Sequence, residues 1–588
     1  MRATGRVPKV EVTQSMHQPV STPRFSIYYD YKVFPFQPPP ELRGEQVRHP
    51  VTIVGAGPIG LVAALELARF GIPSVILTAE RQVSEGSRAL AYTRRSMEIL
   101  QQVGVAERIA RDGLPWQYGI SFFRGEPVFH MDMGHDDDDR FFPATNLQQQ
   151  YLEQYLIEQI EANPLVELRW ASRVIGIDGH DDDGVTLRVD TPEGEYALRA
   201  DWVIAADGAR STLRQALGLR MVGDSYQGRF VIADIRVKLP FETRRRAYFD
   251  PSWNPGNTVL MHRAPHDIWR IDYQLPAGET PEQALSRESL FARINEQLAM
   301  VGQAGVEWEL DWCSVYSAYA MTLTDYVHGR IIFAGDAAHM LPIFGVRGAN
   351  TGFQDANNLG WKLALVHRGL APRALLDTYS HERVAAAQEI VDEAGKSTRF
   401  MTPPTRGFRL LRDAVLSLTL TQPFVRPLLH WRTSRPHDYV TSPLNTRGDD
   451  DAMFEAGPRK GAVLRNIRLG EDDFLFDHLP AGFLVLDFCE DPAVAPEVVD
   501  VVQRWRDRGL PLSIVAVRRQ PGEVACADLT IAAGGTSMFD KYGANGLPAV
   551  YLVRPDQHVA ARWRSVSGEG LDQALRTAMG AGSKEQCS

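Results

Sequence analysis

Val51-Thr52-Ile53-Val54-Gly55-Ala56-Gly57-Pro58-Ile59-Gly60 joins a short β-branched run to a glycine-rich turn, and Leu61-Val62-Ala63-Ala64-Leu65-Glu66-Leu67-Ala68 follows with the composition of a buried helix. The first run predicts a buried strand, Gly71 closes the helix, and Ser74-Val75-Ile76-Leu77 predicts a second strand. This strand–turn–helix–strand context is what a GxGxxG pattern needs before it signals a dinucleotide-binding unit. Gly55 allows the tight turn, Gly57 lets the backbone approach a pyrophosphate, and Gly60 lets the helix pack closely on the strand. The helix N-terminus at Pro58 attracts the phosphate charge. Glu80 follows Gly60 by 20 residues and is placed to accept hydrogen bonds from an adenosine ribose, although Thr78 lies nearer the strand end.

Read alone, that motif serves many cofactors. Two others narrow it. Residues 201–214 form an apolar strand that ends in Asp207-Gly208-Ala209-Arg210-Ser211, with Arg214 beyond. Residues 331–339 form a buried strand that ends in Gly335-Asp336-Ala337-Ala338-His339, where ribitol hydroxyls would need a carboxylate acceptor. A glycine-rich loop, Leu341–Gly352, then opens a helix predicted over Phe353–Val366, and its N-terminus is suited to stabilise negative charge on a flavin N1–O2 edge. Gly345, Gly348, Ala349 and Asn350 are the loop's candidate cofactor contacts. Each motif meets a different part of one long molecule, FAD.

With these residues in view, the chain resembles the class A flavoprotein monooxygenases, the single-component aromatic hydroxylases. Within them it is similar to the phenol hydroxylase and 3-(3-hydroxyphenyl)propionate hydroxylase branch. Gly86-Ser87-Arg88-Ala89 matches the GSRA element, whose arginine, Arg88 here, the resemblance places beside the FAD pyrophosphate. Gln149-Gln150-Tyr151-Leu152-Glu153 matches a Q-x-x-L-E helix start, implying that Gln149 touches the ribose or ribitol side. Asp207-Gly208 matches a motif tied to both FAD and NAD(P)H, and Asp336 matches the ribitol ligand. The family commonly has two prolines after GDAAH; Ile343 stands at the second, which puts the local loop shape in question.

The resemblance implies an α/β fold: a Rossmann-like FAD-binding domain over 49–220 and 328–435, interleaved with a β-sheet substrate domain over 221–327. A linker over 436–460 and a C-terminal thioredoxin-like domain over 461–588, lacking CxxC, complete the chain. Residues 1–48 are an N-terminal extension that either covers the FAD domain or stays disordered. The implied reaction is hydroxylation of a small phenolic compound using O2 and NADPH or NADH, through a flavin C4a-hydroperoxide, in a homodimer. The flavin supplies the hard chemistry, and the protein orients and desolvates. Hydroxylation of a polycyclic, polyketide-type aromatic is the nearest alternative. A flavin-binding scaffold without turnover is a third reading, opposed by the retention of Asp207, Asp336 and the whole glycine loop.

Substrate contacts are harder to read. Phe230–Val237, Thr258–His262 and Trp269–Leu275 predict strands, with Trp269, Ile271 and Tyr273 on one face and Arg270, Asp272 and Gln274 on the other. Arg270 is suited to a carboxylate or phenolate, and equally to an internal ion pair. Tyr92 and Asn146 are pocket candidates by position in the family. His262 and His130 are candidate bases, though isolated histidines are more often structural.

The remaining features set bounds. The 588 residues exceed a single core, and a net charge of −10 argues against nucleic acid or an anionic membrane as partner. Cys313, Cys489, Cys526 and Cys587 are scattered, which predicts reduced thiols in a cytoplasmic protein; no metal site is expected. Asp136–Asp139 and Asp181–Asp183 predict solvated loops, the second a hairpin turn. In the C-terminal part, Gly482–Phe488 and Leu512–Val517 predict strands around a helix near Pro496–Arg508.

Overall fold

The computed structural model describes residues 19–86, 88–276, 278–342, 344–429 and 435–581. Its first sheet grows from the β-branched runs that flank the motifs. Ile331–Phe333, Gly194–Ala205, Arg48–Val54, Ser74–Leu77 and Val166–Arg169 lie side by side in that order, all parallel. Near-continuous apolar runs suit such strands, because helices cover both faces of a parallel sheet. The helix Pro58–Arg69 buries Leu61–Leu67 against it, and the helix Gly348–His367 packs alongside. That second helix begins five residues before the predicted Phe353, because the glycine-rich stretch 348–352 is itself helical.

A second sheet stands over the C-terminal edge of the first. Its order is His339–Met340, Glu309–Thr322, Val222–Arg236, Ile268–Gln274, Thr258–Ala264, Arg245–Phe249, Tyr118–Phe123, Glu126–Asp132. It is wider than the interval 221–327, since Tyr118–Asp132 and His339–Met340 supply edge strands from the flanking segments. Period-2 alternation settles its faces. Trp269, Ile271 and Tyr273 join Val231, Val259 and Met261 under Leu290, Ile294 and Leu298 of the helix Arg287–Met300. The opposite face carries the charged residues.

The C-terminal unit has the predicted strands and helix as Phe483–Asp487, Pro496–Asp507 and Leu512–Arg518. Its five-stranded sheet runs Leu529–Ala532, Leu512–Arg518, Phe483–Asp487, Val550–Val553, Val559–Trp563, the first three parallel and the last two antiparallel to their neighbours. Phe483, Val485 and Leu552 share one apolar core with the first sheet's helices. Trp361 meets Phe483 edge-on at 5.5 Å. The segment between the units is held, too: Tyr439 accepts from Arg383 and Ser442 donates to Glu382.

Residues 19–47 pack over the first sheet's unit. Tyr29 and Tyr31 are buried, and Phe34 stacks on Trp170 at 4.2 Å. Ser26 donates to Asp311 while Tyr151 donates to the Tyr28 carbonyl, so the segment straps the second sheet to the helix Gln149–Glu161. Residues 1–18 and Cys587 lie outside the described residues. Asp181–Asp183 forms the expected hairpin turn. Asp136–Asp139 forms the predicted loop, exposed at Asp136 and Asp137, and it also makes a contact that the sequence does not show. Lys541 of the C-terminal unit pairs with Asp136 at 2.9 Å and Asp138 at 2.7 Å, so that loop docks the two units. No helix among the described residues is long and apolar enough to cross a membrane.

Candidate cofactor and substrate site

The three motifs, up to 280 residues apart in sequence, end three adjacent parallel strands. Gly55 follows Arg48–Val54, Asp207 follows Gly194–Ala205, and Asp336 follows Ile331–Phe333. Glu80 stands past the end of the next strand, Ser74–Leu77, where its carbonyl accepts from Ala171. Ligands of open α/β sheets bind at this C-terminal edge.

Sterics separate the glycines by role. Gly55 has φ +110°, and a Cβ there would lie 2.3 Å from the Ala206 carbonyl oxygen. A Cβ on Gly60 would lie 2.0 Å from the Gly55 carbonyl oxygen, so close helix–strand packing demands glycine. Gly57 differs: it caps the helix without a side-chain hydrogen bond, and nothing lies within 4 Å of its Cβ direction. Gly348, at the start of the second helix, is equally open. Gly345 and Val346 both have positive φ, +95° and +61°, which makes the tight turn into that helix. Ile343 lies outside the described residues, as does Ser87.

Asp207 keeps one buried carboxylate oxygen, Oδ1, without a protein partner, while Oδ2 accepts from the Leu213 amide at 3.2 Å. Burial raises its pKa. Asp336 is exposed to solvent, yet surrounding protein raises its pKa by desolvation, against the pull of His339, Arg88 and Arg214. That combination describes a carboxylate at the floor of a cleft. Arg214 ties the two motifs together, donating to the Ala337 carbonyl at 3.0 Å and to the Ala209 carbonyl at 2.5 Å.

Behind Asp336 lies a buried chain. His339 Nε2 meets Asp355 Oδ2 at 2.6 Å, and the Gly335 amide donates to the same oxygen at 3.0 Å. Arg383 Nε donates to Asp355 Oδ1 at 2.6 Å. Burial works to raise the Asp355 pKa, but His339 and Arg383 outweigh it and hold the carboxyl below its ordinary range. This is how the turn at Gly335–Ala337 is kept in shape.

Some candidates hold protein rather than face the cleft. The Asn350 side chain accepts from the Thr93 amide and Ser96 hydroxyl, and donates to the Ala91 and Val346 carbonyls. Only its backbone remains for a ligand. Gln149 accepts from the Ala89 amide and donates to Ser84 and Glu153, so it fastens the 84–89 segment to its helix. Arg88 is exposed, and close enough to act on Asp336.

The charged face of the second sheet meets the same loops. A Cβ on Gly86 would lie 2.1 Å from the Trp312 ring, Arg270 donates to the Arg88 carbonyl, and Phe230 meets Phe344 edge-on at 5.3 Å. Arg270 takes the internal-pair alternative, with two 2.8 Å hydrogen bonds to Asp234. Cross-strand register sets this pair, which no local pattern in the sequence reveals. Tyr92 is fully buried with its hydroxyl unpartnered. Asn146 accepts from Trp116 at 2.7 Å and donates to the Arg263 carbonyl at 2.7 Å. His262 lies on the charged face, 3.7 Å from Asp272, whereas His130 is exposed on the outermost strand.

The family model described as "FAD binding domain" matches residues 48–394. The 3-(3-hydroxy-phenyl)propionate/3-hydroxycinnamic acid hydroxylase 2 of Burkholderia vietnamiensis strain G4 is 28% identical over 543 residues, covering 90% of this chain and 96% of the relative. The flavin-dependent monooxygenase PieE, solved with FAD and substrate, superposes with a TM-score of 0.74 at 23% identity, over 91% of this chain and 98% of its own. Aklavinone-11 hydroxylase, solved with FAD and aklavinone, gives 0.69 at 24% identity, over 91% and 100%. These two structures establish the shared fold. With FAD as its cofactor, the chain belongs to the FAD binding domain family and, within it, to the flavin-dependent aromatic hydroxylases.

Proposed function

We propose that the protein hydroxylates a small phenolic compound, with NADPH or NADH as reductant and O2 as oxidant. The observation that carries this reading is the meeting of two surfaces. One is the edge where three motifs end three adjacent strands; the other is a sheet face bearing buried, ionisable side chains.

The residues present fit FAD, as the open sides of Gly57 and Gly348 and the orphaned Asp207 oxygen indicate. In this reading Gly55, Gly57, Pro58, Gly60 and Arg88 hold the pyrophosphate, and Glu80 the adenosine ribose. Asp336 serves the ribitol side, with Asp207 beside it, and Gln149 fastens the segment that carries Arg88. Gly345, Gly348, Ala349 and the Asn350 backbone present a helix N-terminus to the ring. When bound, the flavin supplies reduction by NAD(P)H and activation of O2.

The chain's own work is positioning. Tyr92 and the Arg270–Asp234 pair wall the substrate side, and Asn146 stiffens the strand beside Tyr92 by its bonds to Trp116 and Arg263. The second sheet keeps water away. We assign the C-terminal unit as thioredoxin-like on its βαβ and ββα order, with a structural role: burial, then Asp487, push the Cys489 thiol up to about 12, which disfavours a thiolate. A cytoplasmic homodimer belongs to the same reading.

The test is direct. The purified protein should be yellow, and its NAD(P)H oxidation should accelerate with members of a phenol panel and yield hydroxylated product. No acceleration by any aromatic compound refutes the reading. Product only from tricyclic or larger rings replaces the small phenol with a polycyclic substrate.

A further inference from the structure

The charged face of the second sheet holds a row set by register. His262 pairs across from Arg270, and Arg270 from Asp234; Asp272 lies one row along, two residues after Arg270 on the same face. Arg270 is committed to Asp234 by two hydrogen bonds. Asp272 is not so committed. It is 5% exposed, and its Oδ1 has no hydrogen-bond partner. Its Oδ2 faces His262 Nε2 at 3.7 Å, too far for a hydrogen bond. The Tyr316 hydroxyl, which feels Asp272's charge, is also buried without a partner. Two orphaned oxygens on a face that abuts Gly86, Arg88 and Phe344 indicate a polar ligand group between them, because buried polar atoms are ordinarily satisfied.

Resting on the hydroxylase reading above, we propose that Asp272 is the base that takes the proton from the substrate hydroxyl, with His262 as the positioning group beside its carboxylate. The phenol O–H bond breaks, a carboxyl O–H forms on Asp272, and the electron pair stays on the phenol oxygen as phenolate. His262 Nε2 stands 3.7 Å from the same carboxylate and borders it without sharing the proton. No oxidant or reductant is needed for this step.

The electrostatics agree. Burial first, then Asp234, raise Asp272 to about 7, against Arg270 and Arg245. Burial, with Arg245 and Arg270, keeps His262 well below its ordinary value and therefore neutral, so the proton stays with Asp272. The charged and titratable groups around the pair are Arg245, Arg270, Asp234 and Tyr316, with Arg347 acting through Arg245. A base with a pKa near the working pH is the effective one.

Asp272→Asn and His262→Gln test the assignment, with FAD content and the unfolding midpoint as checks on the fold. Two substrates are compared: a phenol with pKa about 10, and a nitro- or polyfluorophenol ionised at the assay pH. With the ordinary phenol, Asp272→Asn should lower hydroxylation by about 100-fold or more and abolish the acidic limb of the pH profile. With the pre-ionised phenol the loss should shrink to about threefold or less, because the proton is already gone. His262→Gln should shift the acidic limb. Equal losses on both phenols mean a structural role and overturn the proposal. So does an unchanged pH profile in either variant. Wild-type protein that hydroxylates neither phenol overturns the hydroxylase reading itself, and this proposal with it.

Discussion

Arg554 in the C-terminal unit and Glu382 on the helix Ala374–Met401 form a two-point ion pair, Nη1–Oε1 at 2.5 Å and Nη2–Oε2 at 3.0 Å, with both side chains at most 1% exposed. Asp556 and Lys362 complete the cluster. The next residue on the helix, Arg383, reaches Asp355 and through it the Gly335 amide. The C-terminal unit is thereby joined by hydrogen bonds to the turn that carries Asp336.

Removing one partner of this pair leaves the other charge buried alone. Arg554→Met should lower stability by about 3–5 kcal/mol, read from urea unfolding. It should also weaken FAD retention, since the cluster backs the Asp336 turn. Loss below about 1 kcal/mol would place the pair in the class of surface salt bridges and refute its buried role.

The same cluster predicts acid sensitivity. Glu382 and Asp556 are both held below their ordinary values, despite burial, chiefly by Arg554, with Lys362 also lowering Glu382 and His558 also lowering Asp556. Folded-state values that are depressed contribute stability that is present above the unfolded pKa, near 4.5 for Glu382 and 3.8 for Asp556, and lost as pH falls toward the folded values. Unfolding midpoints should therefore drop on acidification below that range. In a Glu382→Gln variant the drop should be smaller. An identical pH dependence in the variant contradicts the assignment.

Two glycine substitutions separate folding from cofactor binding. Gly60→Ala forces a Cβ to within 2.0 Å of a backbone oxygen, and overpacking of this kind costs about 1–3 kcal/mol. Gly57→Ala meets nothing within 4 Å, so folding should survive while the added methyl occupies pyrophosphate space. Thermal unfolding without FAD and fluorescence titration with FAD measure the two effects. Normal FAD affinity in Gly57→Ala would remove that residue from the site.

Asp336→Asn tests the ribitol contact. A hydrogen bond to a charged group contributes about 1.5–3 kcal/mol, so FAD should bind about 10- to 100-fold more weakly. The apoprotein should be no less stable, because burial already raises the carboxyl's pKa. Unaltered affinity in a titration of apoprotein would count against the contact.

Lys541→Ala examines the docking loop. Its partners Asp136 and Asp138 are 56% and 18% exposed, so the loss should be about 1 kcal/mol or less. It should vanish at about 1 M salt, where screening acts within about 3 Å. A large, salt-independent loss would show that the loop does more than dock.

The three cofactor motifs were legible in the chain because each is local. A glycine forced to positive φ, or a carboxylate at a strand end, sits within a few residues of the strand that explains it. The alternation Arg270-Asp272-Gln274 against Trp269-Ile271-Tyr273 was legible for the same reason, as were the hairpin at Asp181–Asp183 and the strands of the C-terminal unit. What the chain could not show were partnerships across register and distance. Arg270 meets Asp234 because two antiparallel strands align at that step, and a shift of one residue would send both to the other face. Asn350 and Gln149 were read as ligand contacts, but their side chains bind protein groups more than 50 residues away. Asp136–Asp139 was read as a solvated loop, and its pairing with Lys541, some 400 residues later, was not visible from the sequence. Local sequence determines backbone conformation and strand ends through sterics and hydrogen bonding. Which strand ends adjoin, and which buried charges neutralise one another, was decided only when the core closed over them.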